Sequence, residues 1–121
     1  MVHQLSYHWY MYHTPKNCIR CGRLTEYYSD DLQQYADTGF VCDDCHGRSC
    51  FAKLFAQAVK TIDADIVTGR IVQGVRKLCN YLSVLPAEAM FPYQWRYTLL
   101  KAQHPHWFTV PDRQYWSGFY T

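Results

Sequence analysis

Two short cysteine pairs constrain this 121-residue chain more than any other feature of its sequence. Cys18 and Cys21 form the first pair, Cys42 and Cys45 form the second, and two residues separate the cysteines in each. A pair with this spacing places two sulfur atoms on one side of a tight turn, and two such turns complete the tetrahedral four-thiolate shell of a structural zinc site. We therefore predict one structural Zn²⁺ ion bound by these four cysteines, with no coordination position left open.

The alternative interpretation is a set of unrelated buried or disulfide-bonded cysteines. The N-terminal residues show neither the basic stretch nor the apolar stretch of a signal peptide, so we expect a reducing, intracellular location, in cytoplasm or nucleus, where thiols stay free. Paired spacing of this kind in a short chain favours a metal over disulfides. Cys50 and Cys79 are expected in the core, although replacement of one zinc ligand by His46 or Cys50 stays open.

The residues next to each pair favour the turns that such a site needs. Gly22 follows Cys21, and glycine readily adopts the left-handed backbone found in these turns. The second pair precedes an apolar stripe with helical spacing, so we expect Cys42 and Cys45 at a helix N-terminus. The positive end of the helix dipole would favour the thiolate form of both side chains.

The order of these segments resembles a treble-clef zinc finger, in which a knuckle and a β-hairpin precede a CxxC pair that opens a helix. The segment from Cys18 to Gly22 resembles the knuckle, and the segment from Phe40 to Cys45 resembles the strand-to-helix half. The GATA-type finger has the same ligand order, and the resemblance extends from Lys16 to Val59. The insert between the pairs is longer than is usual there, and the basic segment that follows the GATA helix has no counterpart. The resemblance implies a metal site and the local fold around it.

Periodicity along the chain predicts an α+β fold: a small zinc-stabilised domain, with a treble-clef-like finger followed by two or three helices and with N- and C-terminal strands. Alternating apolar residues indicate a strand over residues 3–12, and Leu24 to Tyr28 reads as a hairpin strand that returns at Gly39 to Cys42. Apolar residues three and four apart indicate helices from His46 to Ile62, from Asp63 to Leu85 and from Pro92 to Gln103. The aromatic tail from Trp107 to Tyr120 is expected to be a strand docked on the N-terminal strand or an exposed surface.

Length and composition fit one domain over residues 1–121, with a finger core at 16–60 and a helical, aromatic-rich part at 61–121. The sequence has no run of apolar residues long enough for a membrane span. The net charge is only +2, and aromatic residues make up 17% of the chain. Few glycines and prolines together with many aromatic residues argue against disorder.

Charge distribution favours a protein partner over nucleic acid. Five basic and six acidic residues lie between Lys16 and Lys53, and a finger without positive charge is poorly suited to phosphate. Residues 54–121 hold seven basic and four acidic residues, so nucleic-acid binding through this part, with Tyr and Trp stacking on bases, is the alternative. Neither Cys50 nor Cys79 has an activating His–Asp set in view, and a closed four-thiolate site holds no substrate water, so we do not expect an enzyme.

We therefore predict a non-enzymatic zinc-binding module that acts by binding another protein, as a regulator of transcription or as a virus- or phage-encoded factor acting on a host complex. Acidic residues inside the second ligand pair and aromatic residues of the tail are the candidate partner-binding surface, because aromatic side chains are enriched at interfaces. The candidate residues are Asp43, Asp44, Trp107, Tyr115, Trp116 and Phe119.

Overall fold

The computed structural model describes residues 13–28 and 41–117, and α-helix is the main secondary structure in these two ranges. Backbone contacts divide the chain into two compact units, Met1–Cys45 and His46–Thr121, which we call the N-terminal unit and the helical unit. The division falls at the second cysteine pair, and the predicted single domain stays a prediction. None of the helices in the described ranges is both long and apolar enough to cross a membrane.

The N-terminal unit contains a two-stranded antiparallel hairpin. Strand β1 (His13–Asn17) pairs with strand β2 (Leu24–Tyr28), and Asn17 lies opposite Leu24 beside the turn. The predicted strand at Leu24 to Tyr28 is therefore present, but its partner is β1 and not the segment from Gly39 to Cys42. Val41 and Cys42 are not in a strand, and the remainder of that segment lies outside the described residues, as does the predicted strand over residues 3–12.

Five α-helices follow the hairpin in the described part of the chain. Helix α1 begins in the N-terminal unit, and the others belong to the helical unit, where a 3₁₀ turn (Pro105–Trp107) separates the last two. Their bounds are α1 Asp43–Ala52, α2 Ala56–Thr68, α3 Ile71–Leu82, α4 Pro86–Gln103 and α5 Asp112–Ser117.

The predicted α+β fold is wrong, because the described chain is mainly helical and its C-terminal part forms α5 where a strand was expected. The tail is rich in aromatic residues, which suit a strand by propensity. Tyr115 nevertheless packs into the helical core, and burial of its ring outweighs that local preference.

The helix boundaries also differ from those that periodicity predicts. The predicted helix from His46 to Ile62 is two helices, because Phe55 has an extended backbone and α2 starts after it. The predicted second helix is interrupted at Gly69, whose left-handed backbone (φ 77°) ends α2. Pro86 occupies the first turn of α4, where its missing N–H costs nothing, and Pro92 lies inside that helix.

The helical unit has one core, which α2, α3 and α4 build together with single residues from α1 and α5. The most deeply buried side chains, at 0% exposure, are Ile62, Ile66, Leu78, Ala89 and Tyr93. The remaining members of the core are Phe51, Ile71, Val75, Tyr97, Leu100 and Tyr115. Each Å² of apolar surface that this core removes from water stabilises the unit by about 25 cal/mol.

One carboxylate lies inside this unit, which the sequence did not indicate. The Asp65 side chain on α2 is 3% exposed, and its oxygens lie 3.2 Å from the Arg70 guanidinium and 2.6 Å from the Lys77 ammonium. Asp63, which the sequence suggested as the start of a helix, lies within α2 and accepts two hydrogen bonds from Arg96 of α4 at 2.8 and 2.9 Å. These pairs connect α2 to α3 and to α4.

Candidate metal centre

The turn that joins β1 to β2 holds the first cysteine pair. The N–H of Cys18 donates to the Arg23 carbonyl, and the N–H of Gly22 donates to the Cys18 carbonyl, each at 2.9 Å. Gly22 has a left-handed backbone (φ 76°), as the sequence predicts, and an L side chain would be strained there. The hairpin thus fixes the turn at both ends and brings Cys18 and Cys21 to the same side.

Helix α1 supplies the second pair from its first turn. It begins at Asp43, directly after Cys42, and Cys45 follows within the same turn. Asp43 and Asp44 also lie in this turn, where negative charge offsets the positive end of the helix dipole. The predicted position of Cys42 and Cys45 at a helix N-terminus is therefore correct.

The two turns bring four sulfur atoms into one cluster. The Sγ atoms of Cys18, Cys21, Cys42 and Cys45 all lie within 4.8 Å of one another. The Cys21 and Cys42 sulfurs are 3.8 Å apart. Four sulfurs at the ordinary Zn–S distance of about 2.3 Å form a tetrahedron with edges of about 3.8 Å, so the cluster is close to the size that one such ion requires.

No disulfide joins the sulfurs of this cluster. All six cysteines are free, and 3.8 Å is far longer than the S–S bond of about 2.05 Å. Cys18 and Cys42 are each 2% exposed and form a small buried cluster, against which Val41 and Cys45 pack. The site therefore has a closed inner side, made by Cys18 and Cys42, and a more open side at Cys21.

Hydrogen bonds prepare one sulfur to be a thiolate. The Cys42 and Arg20 N–H groups each donate to the Cys18 sulfur at 3.4 Å. The bond from the Cys42 backbone is the main reason why the pKa of Cys18 falls to about 6. Backbone N–H bonds of this kind favour a sulfur that binds a metal as an anion.

The crowding of the other sulfurs has the opposite effect. Hydrogen bonding with the Cys42 side chain, followed by burial, raises the pKa of Cys45 to about 12. Four sulfurs this close cannot all be anionic without a cation to offset their mutual repulsion. Because a divalent ion supplies that charge and deprotonates its thiols, the donor set fits a metal that prefers sulfur.

The other candidate ligands are not part of this group. Among the described side chains, the four cysteines are the one cluster of three or more His, Cys, Asp or Glu residues arranged to hold a metal ion. His46 and Cys50 lie one turn apart on α1, with 3.8 Å between the imidazole Nε2 and the sulfur. Burial raises the pKa of Cys50, so its thiol stays protonated and is a poor ligand or nucleophile.

The aromatic residues predicted to bind a partner have different environments. Trp107 is 41% exposed and stacks on the His104 ring, with 3.8 Å between the ring centroids. Tyr115 is 6% exposed and belongs to the core, so its ring is not available to a partner and that prediction is wrong. Trp116 is half-buried against Tyr97 and Tyr115, and Phe119 lies outside the described residues.

Comparison with known proteins identifies no relative. No family model matches the chain, and neither a curated protein sequence nor a solved structure matches it. The interpretation of the cysteine cluster as a metal site therefore rests on its geometry alone.

Proposed function

We propose that this chain is a zinc-binding module, that the ion is structural, and that the module acts by binding another protein. The cluster of four sulfur atoms within 4.8 Å carries the first part of the proposal. Zinc is the common divalent ion for four thiolates in tetrahedral geometry, and it needs no redox partner. Cys18, Cys21, Cys42 and Cys45 would hold it, and its charge would keep all four side chains ionised.

The treble-clef resemblance belongs to this proposal. The knuckle at Cys18 to Gly22 and the helix that starts after Cys42 support it, whereas the pairing of β2 with β1 differs from the hairpin that the resemblance implies. A role in transcription, or as a viral or phage factor, stays a prediction from the sequence.

Two arguments support a role without catalysis. Four protein ligands leave a tetrahedral ion no position for a substrate or an activated water. Cys50, which has a histidine nearby, is buried and has a raised pKa, so it lacks the thiolate character of a nucleophile. A bound ion would therefore stabilise the turn and the start of α1.

Exposed apolar side chains on the helical unit support a protein partner. Phe55, Leu85 and Phe91 are 66%, 68% and 59% exposed. Large apolar side chains gain most from burial against another apolar surface. Exposed side chains of this kind are suited to contact a second protein.

Nucleic acid is the second candidate, and the separation of charge along the chain favours it. Met1–Cys45 holds three basic and six acidic residues, whereas His46–Thr121 holds nine basic and four acidic residues. Three of those four acids, Asp63, Asp65 and Asp112, already pair with bases. Titration of binding to mixed single- and double-stranded DNA and RNA against salt tests this candidate, since phosphate contacts give a steep salt dependence. No binding at low salt would remove it.

The experiment for the zinc site is metal analysis followed by substitution with Co²⁺. We expect one zinc per chain after purification without added metal, and a sulfur-to-cobalt charge-transfer absorption after exchange. The absorption reports thiolate ligands directly, and the variant Cys79→Ser should retain it because Cys79 is outside the cluster. A protein that binds less than about half an equivalent of metal, or Co²⁺ without thiolate absorption, would contradict the proposal.

A further inference from the structure

An apolar groove lies between α3 and the first turns of α4 in the helical unit. It encloses about 370 Å³, and its lining comes from two short stretches of sequence. Val72, Val75, Arg76 and Cys79 have the spacing of one face of α3, and Pro86, Ala87 and Met90 come from the start of α4. Six of these seven residues are apolar or weakly polar, so Arg76 is the one charged side chain of the lining.

The groove is open to solvent although its surface is apolar. Val72 is 48% exposed at one side. Leu85 and Phe91, directly next to lining residues in the sequence, are 68% and 59% exposed. Exposed apolar residues scattered singly need no explanation, but a concave apolar surface with such neighbours is typical of a binding site.

The lining of α3 also indicates the shape of the occupant. Val72 and Cys79 are seven residues apart, which corresponds to about 10 Å or two turns of helix. An amphipathic helix presents apolar side chains at positions i, i+3 or i+4, and i+7, over the same length. A groove between two helices therefore suits a third helix that lays its apolar stripe into it.

The charges around the groove indicate which charge the bound helix should carry. Arg70 and Lys77 pair with Asp65, Arg96 pairs with Asp63, and Lys101 pairs with Asp112. Within the described ranges, Arg76 has no carboxylate partner. The unit around it has nine basic and four acidic residues, so an acidic occupant is favoured both by Arg76 and by the surrounding field.

We propose that this groove binds an amphipathic helix of a partner protein, with apolar side chains against Val75, Cys79 and Met90 and a carboxylate paired with Arg76. The inference rests on the proposed protein-binding function and makes it specific: the partner segment is helical, apolar on one face and acidic beside that face.

Two synthetic helical peptides test the proposal directly. Both carry the same stripe of leucines, flanked by glutamates in one peptide and by lysines in the other, and binding to the full chain is measured by fluorescence anisotropy. We expect the glutamate peptide to bind at least about tenfold more tightly at low salt, since charge complementarity adds to the same apolar contact. Equal binding of the two peptides, or binding of neither, would overturn the proposal.

Two variants test whether the groove is the site. Ala87 is exposed on α4, so Ala87→Trp fills the groove without disturbing the core and should weaken the glutamate peptide by about tenfold or more. Arg76→Glu should weaken the glutamate peptide and strengthen the lysine peptide, each by about three- to tenfold. Arg113→Glu is the matched control, because Arg113 is an exposed base on α5 outside the groove lining. A control as damaging as Arg76→Glu would overturn the assignment.

Cys79 provides a readout that needs no substitution in the groove. Its thiol is half-buried in the lining, so bound peptide should slow its alkylation by iodoacetamide at least about threefold, as resolved by mass spectrometry. Unchanged alkylation with bound peptide would place the peptide elsewhere and overturn the proposal.

A concentration-dependent dimer that Ala87→Trp abolishes would also overturn the proposal, since the occupant would then be a second copy of the chain. Metal content separates the groove proposal from the zinc-site proposal. If no peptide binds in the groove but the protein holds one zinc per chain, the groove proposal fails and the zinc-site proposal stands.

Discussion

The Tyr93 and Tyr115 hydroxyls lie 2.8 Å apart in the core of the helical unit, and together they connect α4, α5 and α2. The Tyr115 hydroxyl donates to the Ile66 carbonyl at 2.7 Å, so the bond between the two tyrosines must use the proton of Tyr93. Burial raises the pKa of Tyr115 to about 12, and burial also raises the pKa of Tyr93. Both hydroxyls therefore stay protonated and keep this direction of donation.

Because Tyr93 donates to Tyr115, the two tyrosine-to-phenylalanine variants should differ in their free energy of unfolding. Tyr115→Phe leaves the Tyr93 hydroxyl buried without its acceptor, so we expect a loss of about 1–3 kcal/mol in the free energy of unfolding. Tyr93→Phe removes a donor while Tyr115 still bonds to Ile66, so its cost should be about 1 kcal/mol or less. Urea unfolding of both variants measures the difference, and a larger cost for Tyr93→Phe would contradict the assigned direction.

Gly74 is required by a close approach and not by its backbone. A Cβ at this position of α3 would lie 2.6 Å from the Tyr93 ring, which is fully buried and cannot move aside cheaply. Helix propensity alone favours Gly74→Ala by about 1 kcal/mol. We expect overpacking to win, with a net loss of about 1–3 kcal/mol in thermal or urea unfolding. A more stable Gly74→Ala variant would show that the ring has room to shift.

The ion pairs of Asp65 should respond unequally to removal of their bases. The Asp65 carboxylate is 3% exposed. The Lys77 ammonium lies 2.6 Å from it and its side chain is 39% exposed, whereas the Arg70 guanidinium lies 3.2 Å from it and its side chain is 58% exposed. Lys77→Met takes the nearer charge from a buried anion, so we expect a cost of about 2 kcal/mol, against less than about 1 kcal/mol for Arg70→Met. Adding Asp65→Asn to Lys77→Met should recover part of the loss in a double-mutant cycle. Simple additivity would exclude the coupling.

Asp112 predicts a sensitivity to acid at the start of α5. Hydrogen bonds from Lys101 and then from Tyr97 lower the pKa of Asp112 below its ordinary value. Because the folded-state pKa is depressed, the stabilisation is complete above the unfolded-state pKa of about 4 and is lost as pH falls further. Asp112→Asn should lower the melting temperature at pH 7 more than at pH 3, and equal effects at both pH values would contradict the linkage.

Metal removal should affect the two units differently. The core of the helical unit contains none of the four cysteines of the cluster. Cys42→Ser, or a strong chelator, should release the ion and unfold the cysteine turns, while most of the helical circular dichroism remains. Cys79→Ser is the control and should retain the metal. Complete loss of helicity on chelation would show that the helical unit also depends on the ion.

The sequence predicted the cysteine cluster because its spacing carries the geometry directly. Two CxxC pairs require close sulfurs, and Gly22 and the start of α1 followed from the same reasoning. Helix boundaries are harder to predict from sequence, since periodicity locates an apolar stripe but not a break that has no Gly, Pro or capping residue. Phe55 is such a break, because its residue type gives no sign of the extended backbone between α1 and α2.

The remaining errors have tertiary causes. Asp63 has the residue type of a helix cap, but its bidentate pairing with Arg96 becomes visible only when α2 and α4 are together. The sequence predicts the tail as a docked strand or an exposed surface, whereas Tyr115 lies in α5 and its hydroxyl donates to the Ile66 carbonyl, 49 residues away. No local pattern reports a contact at that separation.

The cysteine cluster joins points that are 21 positions apart in the sequence. Once an ion fastens those points, lengthening the chain between them costs little, since doubling the length of a closed chain segment adds only about 0.6 kcal/mol. Insertions between β2 and the second pair, such as an epitope tag, should therefore be tolerated, while Cys18, Cys21, Cys42 and Cys45 themselves tolerate no exchange.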